Sequence, residues 1–298
     1  MSLNEGPALA TTAPTVGPYL LDKLRALDAR LREVAPRVLA SAADARAVHD
    51  LRVALRRTRT VLEVGRPVLG RFHADEVRRA LRQVMQASGA LRDDEVLLEL
   101  VASLGVKHPD VETWLDARRL REGRLRSTLS RAVRSGELDR GRELLEALLA
   151  FRVDPRRDRR LAKFARRAVE RARRKVDRHR GARLDDPEAL HRLRIAYKRL
   201  RYTTDTFGDA LPGDLSALAQ PAARLQGRLG DLHDVDVAVG CVRRARGLSD
   251  VARTELLAAL GRERETRVAA YGRELGILAV SPALQAAGTD SLRRISTR

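Results

Sequence analysis

Two stretches of the chain carry the same spaced set of histidine and arginine side chains. Residues 48–60 read VHDLRVALRRTRT and residues 190–202 read LHRLRIAYKRLRY. The pattern His-x-x-Arg-x-x-x-[Arg/Lys]-Arg-x-Arg occurs at Arg52 and again at Arg194, an offset of 194 − 52 = 142 residues. Leucine and alanine positions repeat in step with the charged ones, which an arginine-rich composition alone does not explain. We therefore interpret the two stretches as an internal duplication. The planar guanidinium groups of their arginines can bind oxyanions.

Each stretch places cations along one face of a predicted helix. At about 100° per residue the leucines fall on the opposite side, where a core can receive them. Ten residues of helix rise about 15 Å, so each face can contact several successive anionic groups. A solvated face is the alternative, but like charges repel each other, and the same uncompensated face occurs twice. The pattern favours binding of a linear polyanion, with these candidate residues: His49, Arg52, Arg56, Arg57 and Arg59 in the first stretch, and His191, Arg194, Lys198, Arg199 and Arg201 in the second.

The positive net charge of the chain favours an acidic binding partner. The chain has 298 residues and a formal net charge of +19. Such a field attracts phosphate polymers and accelerates their association at low salt. A nucleic-acid-binding protein is the first alternative function. An aromatic content of 3% leaves few residues for base stacking, but duplex binding through backbone contacts stays open.

A second pair of segments repeats at nearly the same offset. GALRDDEV at 89–96 aligns with GDLHDVDV at 230–237, which places Asp93 on Asp234. The carboxylates of either segment, joined in the second by His233, could hold Mg²⁺, so a Mg-dependent phosphohydrolase is a further alternative. Helix capping after a glycine break, together with pairing to the arginines, is the interpretation that we favour. We predict no metal site, no cofactor and no catalytic residue.

Helical spacing of hydrophobic residues runs along almost the whole chain, which predicts an all-α fold. Gly65 and Pro67 are expected to end the second helix, and Gly89 and Gly230 are expected to separate helices. The order of helices repeats, which predicts two four-helix units with extra connecting and C-terminal helices. The predicted helices span 18–40, 44–65, 74–88, 93–104, 110–134, 137–151, 156–180, 187–207, 213–229, 234–246 and 249–275.

These helices divide the chain into predicted units. They are a flexible leader at 1–17, a first four-helix unit at 18–105, connecting helices at 106–152, a second four-helix unit at 153–247, and a C-terminal helix and tail at 248–298. Residues 18–275 together are expected to form one domain. Further cations could widen the binding surface, although a solvated face suits them equally well: Lys23, Arg30, Arg160, Lys163 and Arg167.

The sequence also indicates a cellular compartment. No stretch approaches the roughly 18 apolar residues of a membrane span, and the N-terminus lacks the pattern of a signal peptide. Cys241 is the only cysteine, so no internal disulfide can form. These features predict a cytoplasmic protein without a membrane partner.

Together the two repeated motifs resemble those of the CHAD family, histidine-containing α-helical domains that bind inorganic polyphosphate. The resemblance covers roughly residues 18–275, and Gly89-x-x-Arg92-Asp93 is similar to the second family motif. His233 departs from the pattern, because family members usually carry a basic residue there. The resemblance implies two four-helix bundles related by a pseudo-two-fold axis, with basic helix faces that line a shared central channel and bind polyphosphate without catalysis. It also implies that the protein is located at polyphosphate granules and that polyphosphate-metabolising enzymes are further partners.

Overall fold

The computed structural model describes residues 13–40, 44–151 and 153–280, with side chains as far as residue 276. This part of the chain is helical and contains no β-strand; Thr15 and Arg160 form an isolated antiparallel bridge. The prediction of an all-α fold is confirmed. The helices are α1 (Val16–Ala40), α2 (Ala45–Leu69), α3 (Arg71–Ala80), α4 (Arg82–Ser103), α5 (Pro109–Arg134), α6 (Glu137–Ala150), α7 (Leu161–His179), α8 (Pro187–Phe207), a 3-10 turn (Gly208–Ala210), α9 (Gly213–Ser216), α10 (Ala219–Arg243) and α11 (Asp250–Val280).

Both helices that carry the arginine motif begin at an aspartate cap. The carboxylate of Asp44 accepts a hydrogen bond from the backbone N–H of Ala47 at 2.9 Å, at the start of α2. Asp186 does the same for Ala189 at 2.9 Å at the start of α8, where Pro187 occupies the first turn. Such a cap stabilises a helix by about 1 kcal/mol. These caps place the start of each motif in the first turns of its helix.

Helix α2 continues through Gly65 and Pro67, so the predicted end of this helix is wrong. A Cβ atom on Gly65 would lie 2.7 Å from Leu69 Cδ1 and 2.9 Å from Leu20 Cδ1. Glycine therefore permits the close packing of α1 on α2. Proline removes only one hydrogen bond near the helix end. The chain turns at Gly70, whose φ of 89° favours glycine.

The two glycines of the second repeated segment lie inside continuous helices. Gly89 is within α4 and Gly230 is within α10, and neither interrupts its helix. The separate helices predicted at 74–88, 93–104, 213–229 and 234–246 are therefore wrong in their boundaries. An internal glycine costs about 1 kcal/mol relative to alanine, an amount that tertiary packing outweighs here. The prediction that the aspartates cap new helices after these glycines is wrong as well.

Three clusters of buried apolar residues hold the helices together. The first joins α1 to α6 with the beginning of α7 and the end of α8, and the second joins α7, α8, α10 and α11. The third joins α4, α5, α10 and α11 through residues such as Trp114, Leu115, Leu256 and Leu260.

Helix α7 begins at Leu161, five residues later than the sequence predicts, after turns at residues 155–157. None of the described helices is long and apolar enough to cross a lipid bilayer.

Helices α2, α4, α10 and α8 contact one another in a closed ring. Helix α2 contacts both α8 and α4, and α10 contacts both α8 and α4. The ring therefore brings the two arginine motifs together with the two repeated glycines. Helix α11 packs on α10, and α5 packs on α4. The duplication, the pseudo-two-fold axis and the unit boundaries stay predictions.

Candidate functional site

The cations of the two motifs meet between α2 and α8. Lys198 of α8 is close enough to interact electrostatically with Arg194 of its own helix and with Arg52, Arg56 and Arg59 of α2. Burial lowers the pKa of Lys198 to about 8, and these four arginines act in the same direction. We call Arg52, Arg56, Arg59, Arg194, Lys198 and Arg201 the central cluster. Its charges repel one another, so it gains stability from any anion that enters it.

Several guanidinium groups of the central cluster have buried N–H groups without a partner. The Nε atoms of Arg56, Arg59 and Arg194 are buried and form no hydrogen bond within the described parts of the chain. A buried donor that stays unsatisfied costs about 1–3 kcal/mol, and more when it is charged. Burial also lowers the pKa values of Arg56 and Arg59. Phosphate oxygens are the acceptors that suit these donors best, because they offer charge and bidentate geometry together.

Tyr202 connects the two motifs. Its ring lies 5.1 Å from the guanidinium carbon of Arg56 and 5.4 Å from that of Arg201. Each cation over the aromatic face gains about 0.5–2 kcal/mol. Arg201 also donates to the side-chain oxygen of Gln226 at 3.2 Å. Tyr202 therefore fixes the positions of one arginine from each half of the chain.

The repeated glycines provide space for the first arginine of each motif. A Cβ atom on Gly89 would lie 3.7 Å from Arg52 Nη1, and one on Gly230 would lie 3.7 Å from Arg194 Nε. Arg52 additionally donates to the backbone carbonyl of Ser88. A Cβ atom at either position would already be in van der Waals contact with the arginine, so glycine leaves the arginine the most room. Their repetition at nearly the same offset as the arginine motifs is the sequence signal for this role, whereas the interpretation as helix breaks is wrong.

Two predicted binding residues outside the central cluster interact with acidic side chains of the opposite motif helix. Arg199 pairs with Glu63 of α2 at 2.9 Å. Arg57 is exposed and interacts electrostatically with Asp205 of α8. Burial raises the pKa of Asp205, while Arg201 and Arg57 act in the opposite direction. These contacts indicate that Arg57 and Arg199 hold α2 against α8.

The histidines differ between the two halves. His49 is exposed near the start of α2. His191 lies against His233 of α10, with their Nδ1 atoms 3.3 Å apart and their ring centroids 4.4 Å apart. Burial and the nearby Arg194 lower the pKa values of both rings, that of His233 to about 4. Both are therefore neutral at neutral pH, and one can donate to the other across the contact. The unusual His233 thus supports His191.

The repeated carboxylates mostly pair with arginines. Asp94 pairs with Arg118 at 3.0 Å, and Asp236 pairs with Arg264 at 2.7 Å. Burial raises the pKa of Asp234 to about 6, against the opposing effect of Arg194. Within the residues that the structure describes, no group of three or more histidine, cysteine or acidic side chains could hold a metal ion. The geometry thus favours the pairing role over the Mg²⁺ role.

The additional predicted cations do not form one surface. Lys23 pairs with Asp209 at 3.3 Å. Arg30 pairs with Glu33 and Asp50. The remaining three residues, Arg160, Lys163 and Arg167, are exposed at the start of α7 and along it. Acidic neighbours that are distant in the sequence therefore neutralise part of this set.

A family profile shows to which family this chain belongs. The CHAD domain profile matches residues 20–243, which is most of the chain. The chain belongs to the CHAD family. Among solved structures, "PptA from Streptomyces chartreusis" matches with a TM-score of 0.70 at 18% identity, over 88% of this chain and 100% of that chain. The CHAD domain from the plant Ricinus communis matches with a TM-score of 0.63 at 21% identity, over 95% of each chain. No curated protein sequence matches. At these identities the structural likeness shows the fold.

Proposed function

We propose that this CHAD protein binds inorganic polyphosphate, without catalysis, at the central cluster. The observation that carries the proposal is the set of buried guanidinium donors on α2 and α8 that lie near one another and have no hydrogen-bond partner among the described residues. An unbranched phosphate chain carries about one charge per unit, and its oxygens can satisfy each donor in turn. Binding relieves the repulsion between the cations and releases counterions from the polymer. The ring of α2, α4, α8 and α10 would form the wall of a channel around the chain.

The proposal extends to the place and the partners of the protein. Polyphosphate binding in the cytoplasm would retain the protein at polyphosphate granules. Enzymes that make or degrade the polymer are the further partners that such a location would bring close. A phosphohydrolase activity has less support, because the carboxylates of α4 and α10 pair with arginines.

Nucleic acid is the rival ligand, and a competition experiment separates the two. We expect wild-type protein to prefer long-chain polyphosphate over duplex DNA and single-stranded RNA, at matched phosphate concentration, by at least about tenfold. The physical reason is that sugars and bases keep nucleic-acid phosphates apart, whereas bare polyphosphate can contact the closely spaced cations without a break. Arg56→Met/Arg194→Met should lose most of this preference. Fluorescence anisotropy with a labelled polymer and unlabelled competitors measures it.

The matched control is Arg243→Met/Arg246→Met, which removes the same charge from exposed positions at the end of α10 and in the segment that follows it. It should keep the preference. Equal affinity of wild type for all three polymers, unchanged by the Arg56 and Arg194 substitutions, would show that the field of the whole protein does the binding.

The pKa of Lys198 predicts how binding depends on pH. In the unliganded protein this pKa is about 8, and a bound polyanion must raise it, because the anion favours the charged ammonium. Binding above about pH 8 therefore takes up a proton, so affinity falls by up to about tenfold per pH unit. Titration at constant ionic strength between about pH 7 and pH 10 measures this fall. Lys198→Arg, which stays charged, should flatten the profile; identical profiles would contradict a role for Lys198.

A further inference from the structure

We propose that a basic cleft between α2, α3, α7 and α8 binds the continuation of the same polyphosphate chain. The inference rests on the proposed function of the central cluster. The cleft has a volume of about 260 Å³. Its charged lining residues come from all four helices and are Glu63, Arg66, Arg71, Arg171, Lys175 and Arg199. We call it the α3–α7 cleft.

The α3–α7 cleft carries an excess of positive charge. Its single acidic lining residue, Glu63, already accepts from Arg199 at 2.9 Å and from Arg78 at 3.5 Å. By contrast, the side chains of Arg71, Arg171 and Lys175 form no hydrogen bond or ion pair with any residue that the structure describes. Three uncompensated cations around one cleft repel one another, as in the central cluster. An anion in the cleft removes that repulsion.

The cleft is continuous with the central cluster along α2. At about 100° per residue, Arg52, Arg56, Arg59, Glu63 and Arg66 lie on one stripe of this helix. From Arg52 to Arg66 the helix rises about 21 Å, so the stripe runs from the cluster into the cleft. Arg59 and Arg66 each keep a buried Nε without a hydrogen-bond partner among the described residues. A linear polyanion that follows α2 therefore passes unsatisfied donors of Arg56, Arg59 and Arg66; the one carboxylate between them, that of Glu63, is paired with Arg199 and Arg78.

The chemistry of the lining selects a bare phosphate chain. No aromatic side chain lines the cleft, so it offers no stacking surface for a nucleobase. Helix α3 also begins here, at Arg71, with no side-chain cap and no acidic residue in its first turn. Its free N–H groups favour negative charge.

Chain length provides the test. The first probe is a short polyphosphate fraction with an extended length of about 10 Å, which spans only Arg52 to Arg59 along α2. The second probe is long-chain polyphosphate. We expect Arg71→Ala/Arg171→Ala/Lys175→Ala to weaken long-chain binding about tenfold and to change short-chain binding by less than about twofold. The control Arg243→Ala/Arg244→Ala/Arg246→Ala removes three exposed charges elsewhere and should change both affinities equally and weakly.

The outcomes separate this inference from the proposed function. Equal losses for short and long chains in the cleft variant, or a long-chain loss no larger than that of the control, would overturn the continuation. Short-chain binding by wild type in the same experiment would still support the central cluster. Absence of binding to either probe would overturn the proposed function itself. Circular dichroism and melting curves establish that each variant is folded.

Discussion

Replacement of Lys198 by glutamate is expected to abolish polyphosphate binding and to raise the thermal stability of the unliganded protein. Lys198 interacts with Arg52, Arg56, Arg59 and Arg194 at once. A carboxylate at this position would pair with these arginines and take the place of the anionic ligand. Charge-assisted contacts are worth about 1.5–3 kcal/mol each, so loss of one contact and repulsion of the polymer should reduce affinity by about 100-fold or more.

The thermal stability should rise while the affinity falls, because the cations of an empty anion-binding site repel one another and a carboxylate among them removes part of that repulsion. Each kcal/mol gained should raise the melting temperature by about 2–4 °C in a protein near this size. Thermal unfolding at low salt, followed by circular dichroism, measures it beside a direct binding titration. Arg243→Glu makes the same charge change at an exposed position and should alter affinity less than about threefold. Loss of binding together with a lower melting temperature would point to damaged folding instead.

Salt is expected to weaken binding steeply. Six cations form the central cluster, and for a flexible single-stranded polyanion the slope of log affinity against log salt is about −0.7 per neutralised phosphate. The expected slope of about −4 corresponds to a roughly 300-fold loss of affinity between about 50 and 200 mM salt. Titrations of long-chain polyphosphate at several salt concentrations determine the slope directly.

The same titration counts the cations that act at the site. Arg56→Met/Arg194→Met should make the slope shallower by about 1–2, since each phosphate-contacting cation contributes about 1 or slightly less. The exposed control Arg243→Met/Arg246→Met should leave the slope almost unchanged. A wild-type slope near zero would contradict an electrostatic site altogether.

Local periodicity explains what could be predicted from the sequence. The spans of α1, α5, α6 and α8 agree with the predictions to within about two residues. Hydrophobic residues repeat every three or four positions in these helices, and aspartate caps or glycine turns mark several of their ends. The predicted breaks at Gly65, Gly89 and Gly230 were wrong, because a local helix penalty near 1 kcal/mol is smaller than the packing that surrounds these glycines.

The sequence by itself determined the all-α class, the family and the cationic face of each motif helix. It could do so because residues three and four apart must share a face of a helix. Only the tertiary structure decided which faces meet. It placed Lys198 among the arginines of α2, Tyr202 between Arg56 and Arg201, and Arg199 on Glu63. It also brought Arg71, Arg171 and Lys175 to one cleft. Residues distant in the chain become neighbours when whole helices bury apolar surface against each other. The spacing of residues within one helix does not determine which other helix its face will pack against.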